Sequence, residues 1–272
     1  MRASVKHLLV AAGVAVAVGM PGAAFAAACG KTGAGFDAWK ADFAATAKAK
    51  GIGAKGLAAL SGTKYLQSTI NADRNQKSFK LSFDQFMAKR GGPAIASKGK
   101  GFARANAQLF NGIEKRYGVP AGPLVAIIGM ETGFGGYMGN SNIVSAVATL
   151  AYDCRRTEFF TRQLLAALQL VDRGSITSAS IGAAHGEVGQ TQFLPENVIK
   201  YGVDGDGDGR VDLIRSRADA LASTANFLRG HGWRAGVGYQ RGQGNYAALQ
   251  GWNAASVYQQ AIAVIGAQID GE

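Results

Sequence analysis

Apolar side chains recur three and four residues apart in one segment after another, and most of these runs stop at a glycine. Phe36, Trp39 and Phe43 stand at this spacing in FDAWKADFAATAKAK. Leu109, Phe110, Ile113 and Tyr117 do so ahead of Gly118. Pro120 then opens a run through Leu124, Ile127 and Ile128 to Glu131, stopped by Gly133, Gly135 and Gly136. RTEFFTRQLLAALQLVDRG reads as a long helix with Phe159, Phe160, Leu164, Leu168 and Val171 on or near one face. Ser216 followed by Asp219 resembles a capping box with Asp in place of Glu, opening a helix closed by Gly230. Val257, Tyr258, Ile262 and Ile265 mark a last helix. Such stripes are buried helix against helix. Alternating strand patterns are nearly absent, so the expected fold is mainly α, with Gly-rich loops and very little β. Residues 73–102 are basic and weakly periodic and are expected at the surface.

The 47% apolar content excludes a wholly disordered chain, and the 39 glycines show no Gly-X-Y period, which excludes collagen. Residues 1–7 carry Arg2 and Lys6 and no acid. An apolar run from Leu8 to Gly19 follows, then small residues at Ala24 and Ala26. This is the order of a secretory signal peptide, residues 1–26, and its apolar run is too short to span a bilayer. Cleavage after Ala26, or alternatively after Ala28, removes Arg2 and Lys6 and takes the net charge from +11 to +9. A soluble mature protein in the periplasm is expected, with no transmembrane segment. Export, rather than charge, argues against nucleic acid as partner; the basic balance suits an acidic glycan but equally a solvated surface.

An exported chain with two cysteines admits one disulfide, Cys29 to Cys154. The competing reading is lipid attachment at Cys29, although Ala26 stands three residues before it where Leu or Val is usual; two free thiols is the third.

Glu131 ends an almost wholly apolar helix, PAGPLVAIIGM. The negative end of the helix dipole and the apolar surroundings both disfavour its charged form. A carboxyl kept protonated near neutral pH is what a general acid in glycoside cleavage needs; the plain alternative is a Glu ending a helix in solvent. In GEVGQTQFLP, two glycines and a proline bracket Glu187 and Gln192, and Gln192 can hydrogen-bond a sugar hydroxyl or acetamide. Asp204, Asp206 and Asp208, with Gly209 at the sixth position and the Arg210 carbonyl at the seventh, have the spacing of a calcium loop over 204–212. The twelfth position is Arg215, not the bidentate Glu. Any calcium is expected to be structural; otherwise the cluster is a polar turn. No cofactor is expected to be required. His7, His185 and His231 lack zinc-ligand spacing.

Taken together, GMETGFG, NIVSAVATLAYDCRRTEFF, GEVGQTQFLP, DGDGDGRVDL, ADALASTANFL and HGW resemble the B type of lytic murein transglycosylase, in order and spacing, from about residue 34 to the C-terminus. The resemblance implies a lysozyme-like (goose-type-lysozyme-like) helical domain over 27–272: a helical N-terminal part at about 30–100 and the lysozyme-like core at about 101–272. It implies an exported enzyme that cuts peptidoglycan strands between N-acetylmuramic acid and N-acetylglucosamine without water, leaving a 1,6-anhydro sugar. Glu131 falls on the family's single acid/base and Gln192 on a glutamine lining the sugar site, and Asp219, from the next helix, stands in for the missing twelfth-position calcium ligand as in some members of the family. Trp252, Asn253 and Tyr258 fall on a Tyr-Asn…Tyr group in the same cleft; Trp252 replaces a tyrosine, so the hydroxyl is lost while a stacking face remains. Ala183-Ala184-His185-Gly186-Glu187 stands where the family usually has Ser-Trp-Ala-Gly-Ala, which removes a hydroxyl and adds the Glu187 carboxylate. Rival expectations are a silent peptidoglycan-binding protein, a calcium-dependent structural protein, and a hydrolytic muramidase with Glu187, Asp153 or Asp172 as second carboxylate.

Overall fold

A computed structural model describes residues 28–75 and 81–271; the export segment expected over 1–26 lies outside the described residues. Thirteen α-helices are found among the described residues: α1 Phe36–Ala49, α2 Ala54–Ser61, α3 Gln67–Arg74, α4 Phe83–Arg90, α5 Gly92–Ala105, α6 Ala107–Tyr117, α7 Ala121–Thr132, α8 Ile143–Tyr152, α9 Thr157–Arg173, α10 Pro195–Tyr201, α11 Arg217–Gly230, α12 Tyr246–Trp252 and α13 Ser256–Asp270. The only regular strands described are β1 Ser141–Asn142 and β2 Ile181–Gly182, paired antiparallel with Ser141 opposite Gly182. The mainly α expectation holds. No described helix is long and apolar enough to cross a membrane.

Two helices, α7 and α8, are apolar on nearly every side and are buried accordingly. In α7, Gly122 through Met130 and Thr132 are all buried, and α8 is buried along its whole length. Around them pack α9 against α8, and α5 and α13 against α7. The antiparallel α7 and α13 approach closest at a pair of glycines. A methyl group at Gly122 would meet the Gly266 carbonyl oxygen at 2.4 Å, and one at Gly266 would meet the Gly122 carbonyl carbon at 3.1 Å. Acidic side chains from distant helices satisfy orphan N–H groups at two helix starts. Asp270 of α13 accepts from Gly122 N at 2.7 Å, and Asp172 of α9 accepts from Gly53 N and Gly56 N at the start of α2.

Three expectations need correction or refinement. Residues 73–102 are not simply surface. Their described part holds α4 and α5, in which Phe86, Ile95 and Ala96 are buried. The packing face of α5 is built largely from small residues: a methyl group at Gly99 would meet Ile269 at 2.7 Å and Val125 at 3.0 Å. A face of glycine and alanine carries no visible apolar period. Next, α11 does end at Gly230, as expected, but the left-handed turn of a glycine cap is made by Gly232, at φ 95°, while the bare Cα of Gly230 makes room for the Tyr201 ring. Finally, the capping box at Ser216 is one-sided. Ser216 Oγ accepts from Asp219 N, but the Asp219 carboxylate is used on Gly205 N and Asp212 N instead of the cap.

Cys29 and Cys154 are joined, with Cα atoms 5.0 Å apart, the disulfide expected from sequence, and no cysteine is left free. The bond ties the first described residues to the end of α8, where Gly30 N also donates to Tyr152 O. Gly30 has to be glycine: a Cβ there would lie 1.9 Å from the Tyr152 hydroxyl.

Candidate active site

Glu131 sits one residue before the end of α7. Gly133, at φ 60°, turns the chain left-handed, and Phe134 N closes on Ile128 O. Thr132 links this end to the next segment: its hydroxyl donates to Gln190 O at 2.6 Å and accepts from Gly135 N at 2.9 Å. The Gly186–Leu194 loop is therefore moored to the helix that carries Glu131. Mutual backbone hydrogen bonds between Val188 and Phe193 cinch the loop. Gln192, at φ 57°, is one of only two non-glycine residues with positive φ among the described residues; the other is Phe134. Such a backbone is costly for a residue with a Cβ and is held by its surroundings.

The α12–α13 junction forms the third side. Tyr258 OH donates to Glu131 Oε1 at 2.6 Å, and Trp252 Nε1 donates to the same oxygen at 3.2 Å. Two donors occupy Oε1, so the acid proton of Glu131 belongs on Oε2. The substitution at Trp252 thus costs less than expected from sequence: the indole N–H supplies a donor, while the ring packs edge-on to Phe193 and Phe227. Asn253 lines the cleft, its side-chain oxygen accepting from Ala255 N and its carbonyl from Gln259 Nε2. Gln192 Nε2 donates to Gly189 O at 2.7 Å.

Burial pushes the Glu131 carboxyl above the usual carboxylate range, against the opposing pull of the Tyr258 and Trp252 hydrogen bonds and the nearby Arg90. Burial, then the Glu131 charge, pushes the Tyr258 hydroxyl well above its ordinary value, so Tyr258 acts as a donor. Burial is thus the first cause of the Glu131 shift, as its apolar surroundings led one to expect, and the Glu187 charge adds to it.

A cleft of about 290 Å³ brings Glu131, Glu187, Gln192, Trp252 and Asn253 together with Arg156, Phe159, Phe160 and His185. Arg156 and His185 were not anticipated, nor was Asp73, which is buried and pairs with Arg155 and Arg156. His185 Nδ1 lies 3.1 Å from Glu187 Oε1, and its Nε2 lies 3.8 Å from Asp73 Oδ1. The other two candidate second carboxylates are committed elsewhere, Asp153 to Arg74 and Asp172 to the start of α2.

The 204–212 loop carries the candidate metal ligands. Asp204, Asp206 and Asp219 each place a carboxylate oxygen within 4.8 Å of the others, a donor set of the oxygen-only kind that calcium takes. Asp208 is not part of this group, and its Oδ1 accepts from Arg210 N. Hydrogen bonds from Gly209 N and then Gly207 N and Asp208 N hold the Asp204 carboxyl below its usual range despite some desolvation.

Residues 35–243 match the family model described as Transglycosylase SLT domain. Over 119 residues the chain is 38% identical to membrane-bound lytic murein transglycosylase B of Escherichia coli strain K12, a stretch covering 43% of this chain and 33% of that protein. The chain thus matches about one third of that relative's length. Among solved structures, SltB3 from Pseudomonas aeruginosa in complex with NAG-anhNAM-pentapeptide has a TM-score of 0.80 at 30% identity, covering 87% of this chain and 80% of that one. The Escherichia coli lytic transglycosylase Slt35 in complex with calcium has a TM-score of 0.74 at 23% identity, over 85% of this chain and 92% of that one, a likeness of fold.

Proposed function

The chain belongs to the transglycosylase SLT domain family, and from that premise we propose that it is a lytic transglycosylase acting on peptidoglycan glycan strands. The observation that carries the reading is the state of Glu131: a desolvated carboxyl with both side-chain donors on one oxygen, leaving Oε2 to face a substrate as an acid.

Oε2 of Glu131 protonates the glycosidic oxygen of the β-1,4 bond between N-acetylmuramic acid and N-acetylglucosamine. The muramic acetamide stabilises the cation at C1, as in substrate-assisted glycosidases. Glu131, now ionised and still held by Tyr258 and Trp252, takes the proton from the C6 hydroxyl, which closes on C1. The two hydrogen bonds that oppose burial are the ones that make this returning carboxylate tolerable. Gln192 and Asn253 offer amide groups to the sugars, and Phe159 and Trp252 offer ring surface. The peptide-bearing ligand named in the SltB3 complex is of the same substrate class.

Two further assignments belong to the reading. The disulfide and the export-like segment support a periplasmic location. Asp204, Asp206 and Asp219, with Asp208 beside them, would hold a calcium ion of structural purpose, bracing the loop that leads into α11. Digests of purified sacculi analysed by mass spectrometry test the activity: the products should end in anhydromuramic acid, lighter than hydrolysis products by one water. An absence of anhydro ends would refute it.

A further inference from the structure

Glu187 is a second carboxylate in the same cleft, and the mechanism above has no use for it. It is held on both sides. Its carbonyl accepts from Ala183 N at 3.2 Å and lies so close to Gly182 that a Cβ there would be 2.1 Å away. Gly186, at φ 83°, packs against α8, where a Cβ would meet Val147 at 2.5 Å. His185 then fixes the side chain: its main-chain N–H donates to Oε2 at 2.9 Å and its Nδ1 meets Oε1 at 3.1 Å. Behind His185 stands the buried Asp73 carboxylate, itself clamped by Arg155 and Arg156. A carboxylate, a histidine and a second carboxylate thus run in series into the cleft that Glu131 lines. The His185 ring, the His185 main-chain N–H and the Glu187 main-chain N–H take three of the roughly four lone-pair sites of the carboxylate, leaving one for a water.

We propose that Glu187 is a general base for water, giving this protein a hydrolytic product channel beside cyclisation. The inference rests on the reading of Glu131 as the acid. In this channel the Glu131 proton passes to the glycosidic oxygen and the bond from C1 to that oxygen breaks. A water oxygen bonds to C1, and the proton that water loses goes to Glu187. One water is consumed, and the muramic end is a reducing sugar; solvent returns the proton from Glu187 to Glu131. The two carboxyls are disposed for these opposite duties. Burial raises Glu131, whereas at Glu187 burial is outweighed by the hydrogen bond and attraction of His185 and by main-chain donors, leaving it below the usual range. Carboxyl pairs pushed apart in this way mark an acid and a base. Cyclisation needs no second base because Glu131, ionised by the first step, takes the proton of the C6 hydroxyl. Water needs one.

The experiment digests purified sacculi in water enriched in heavy oxygen, fixes new ends at once by borohydride reduction, and compares anhydro with labelled reducing ends by mass spectrometry. The wild type should make both. Glu187→Gln should lower the ratio of labelled to anhydro ends by at least about tenfold, the low end of what a positioned base contributes. Should that variant fail to melt like the wild type, His185→Gln, which removes the ring that orients Glu187, should lower the same ratio. Anhydro ends alone from the wild type would overturn the hydrolytic channel and leave cyclisation standing. So would an unchanged ratio in a natively melting variant. Labelled ends alone would support the channel and overturn cyclisation, and no cleavage at all would overturn both.

Discussion

Removing the Cys29–Cys154 bond isolates the loop entropy it suppresses. Both cysteines are exposed, so replacing them with serine opens no cavity and strands no buried polar atom. The bond closes a loop with a sequence separation of 125. In the chain-entropy description, that length restricts the unfolded state by about 4.9 kcal/mol at 25 °C. For a domain of this size each kcal/mol corresponds to roughly 2–4 °C in melting temperature, so the Cys29→Ser/Cys154→Ser variant should melt about 10–20 °C below the oxidised wild type. Circular dichroism melts of the variant, the oxidised protein and the reduced protein provide the comparison, and thiol titration of the denatured, unreduced protein should find no free thiol. The reduced wild type and the double variant should agree. A shift under about 3 °C would refute the reasoning, because the segment before α1 would then be anchored by its packing alone.

Glu131→Gln should lower sacculus-solubilising activity by at least about 10²-fold, read as released muropeptides, while the variant melts natively. The same pair of proteins reports the raised acid by linkage: a carboxyl whose pKa is higher folded than unfolded contributes stability that is complete below its ordinary value of 4.5 and is lost as pH rises through its folded value. The melting temperature of Glu131→Gln relative to wild type should therefore climb as pH rises above that range; a flat difference would mean the carboxyl is not perturbed. Millimolar calcium should raise the melting temperature over that in chelator by mass action on the folded state, with cleavage persisting in chelator, and Asp219→Asn should abolish the rise. Equal melting in calcium and chelator would exclude the ion.

The parts of the site that could be read from sequence were those with a local signature. Glu131 stands out because an apolar helix ends beside three glycines, and Gln192 because glycine and proline bracket its loop. Tyr258 carries no such mark. In sequence it is one aromatic of a helical stripe, and only the resemblance placed it near the acid, whereas the structure gives it the shortest hydrogen bond to Glu131. The Asp73, His185 and Glu187 series was invisible for a different reason. Asp73 sits in a polar helix, QSTINADR, more than a hundred residues before His185, and no periodicity links them. The role of Asp219 was legible from two sides: the Ser216 spacing marks the helix start and the resemblance ties its carboxylate to the 204–212 loop, whereas its two bonds from Gly205 N and Asp212 N, made in place of the cap, are a long-range choice that local capping rules do not contain.

The glycine crossing of α7 and α13 limits which substitutions leave Glu131 and Tyr258 together. Glu131 lies nine residues along α7 from Gly122, and Tyr258 lies eight residues along α13 from Gly266, in opposite directions. At 1.5 Å per residue the hydrogen bond and the crossing are separated by about 13 Å. The depth of the crossing sets the spacing of the two helices and so whether the Tyr258 hydroxyl reaches the acid. Aliphatic residues elsewhere along the pair can drift among near-equivalents of similar volume. Gly122 cannot, since a methyl group there would lie 2.4 Å from the Gly266 carbonyl oxygen, and Gly266 has little room, a methyl there lying 3.1 Å from the Gly122 main chain. The placement of Tyr258 against Glu131 therefore depends on two positions that have no side chain and would attract no notice in a search for chemical groups.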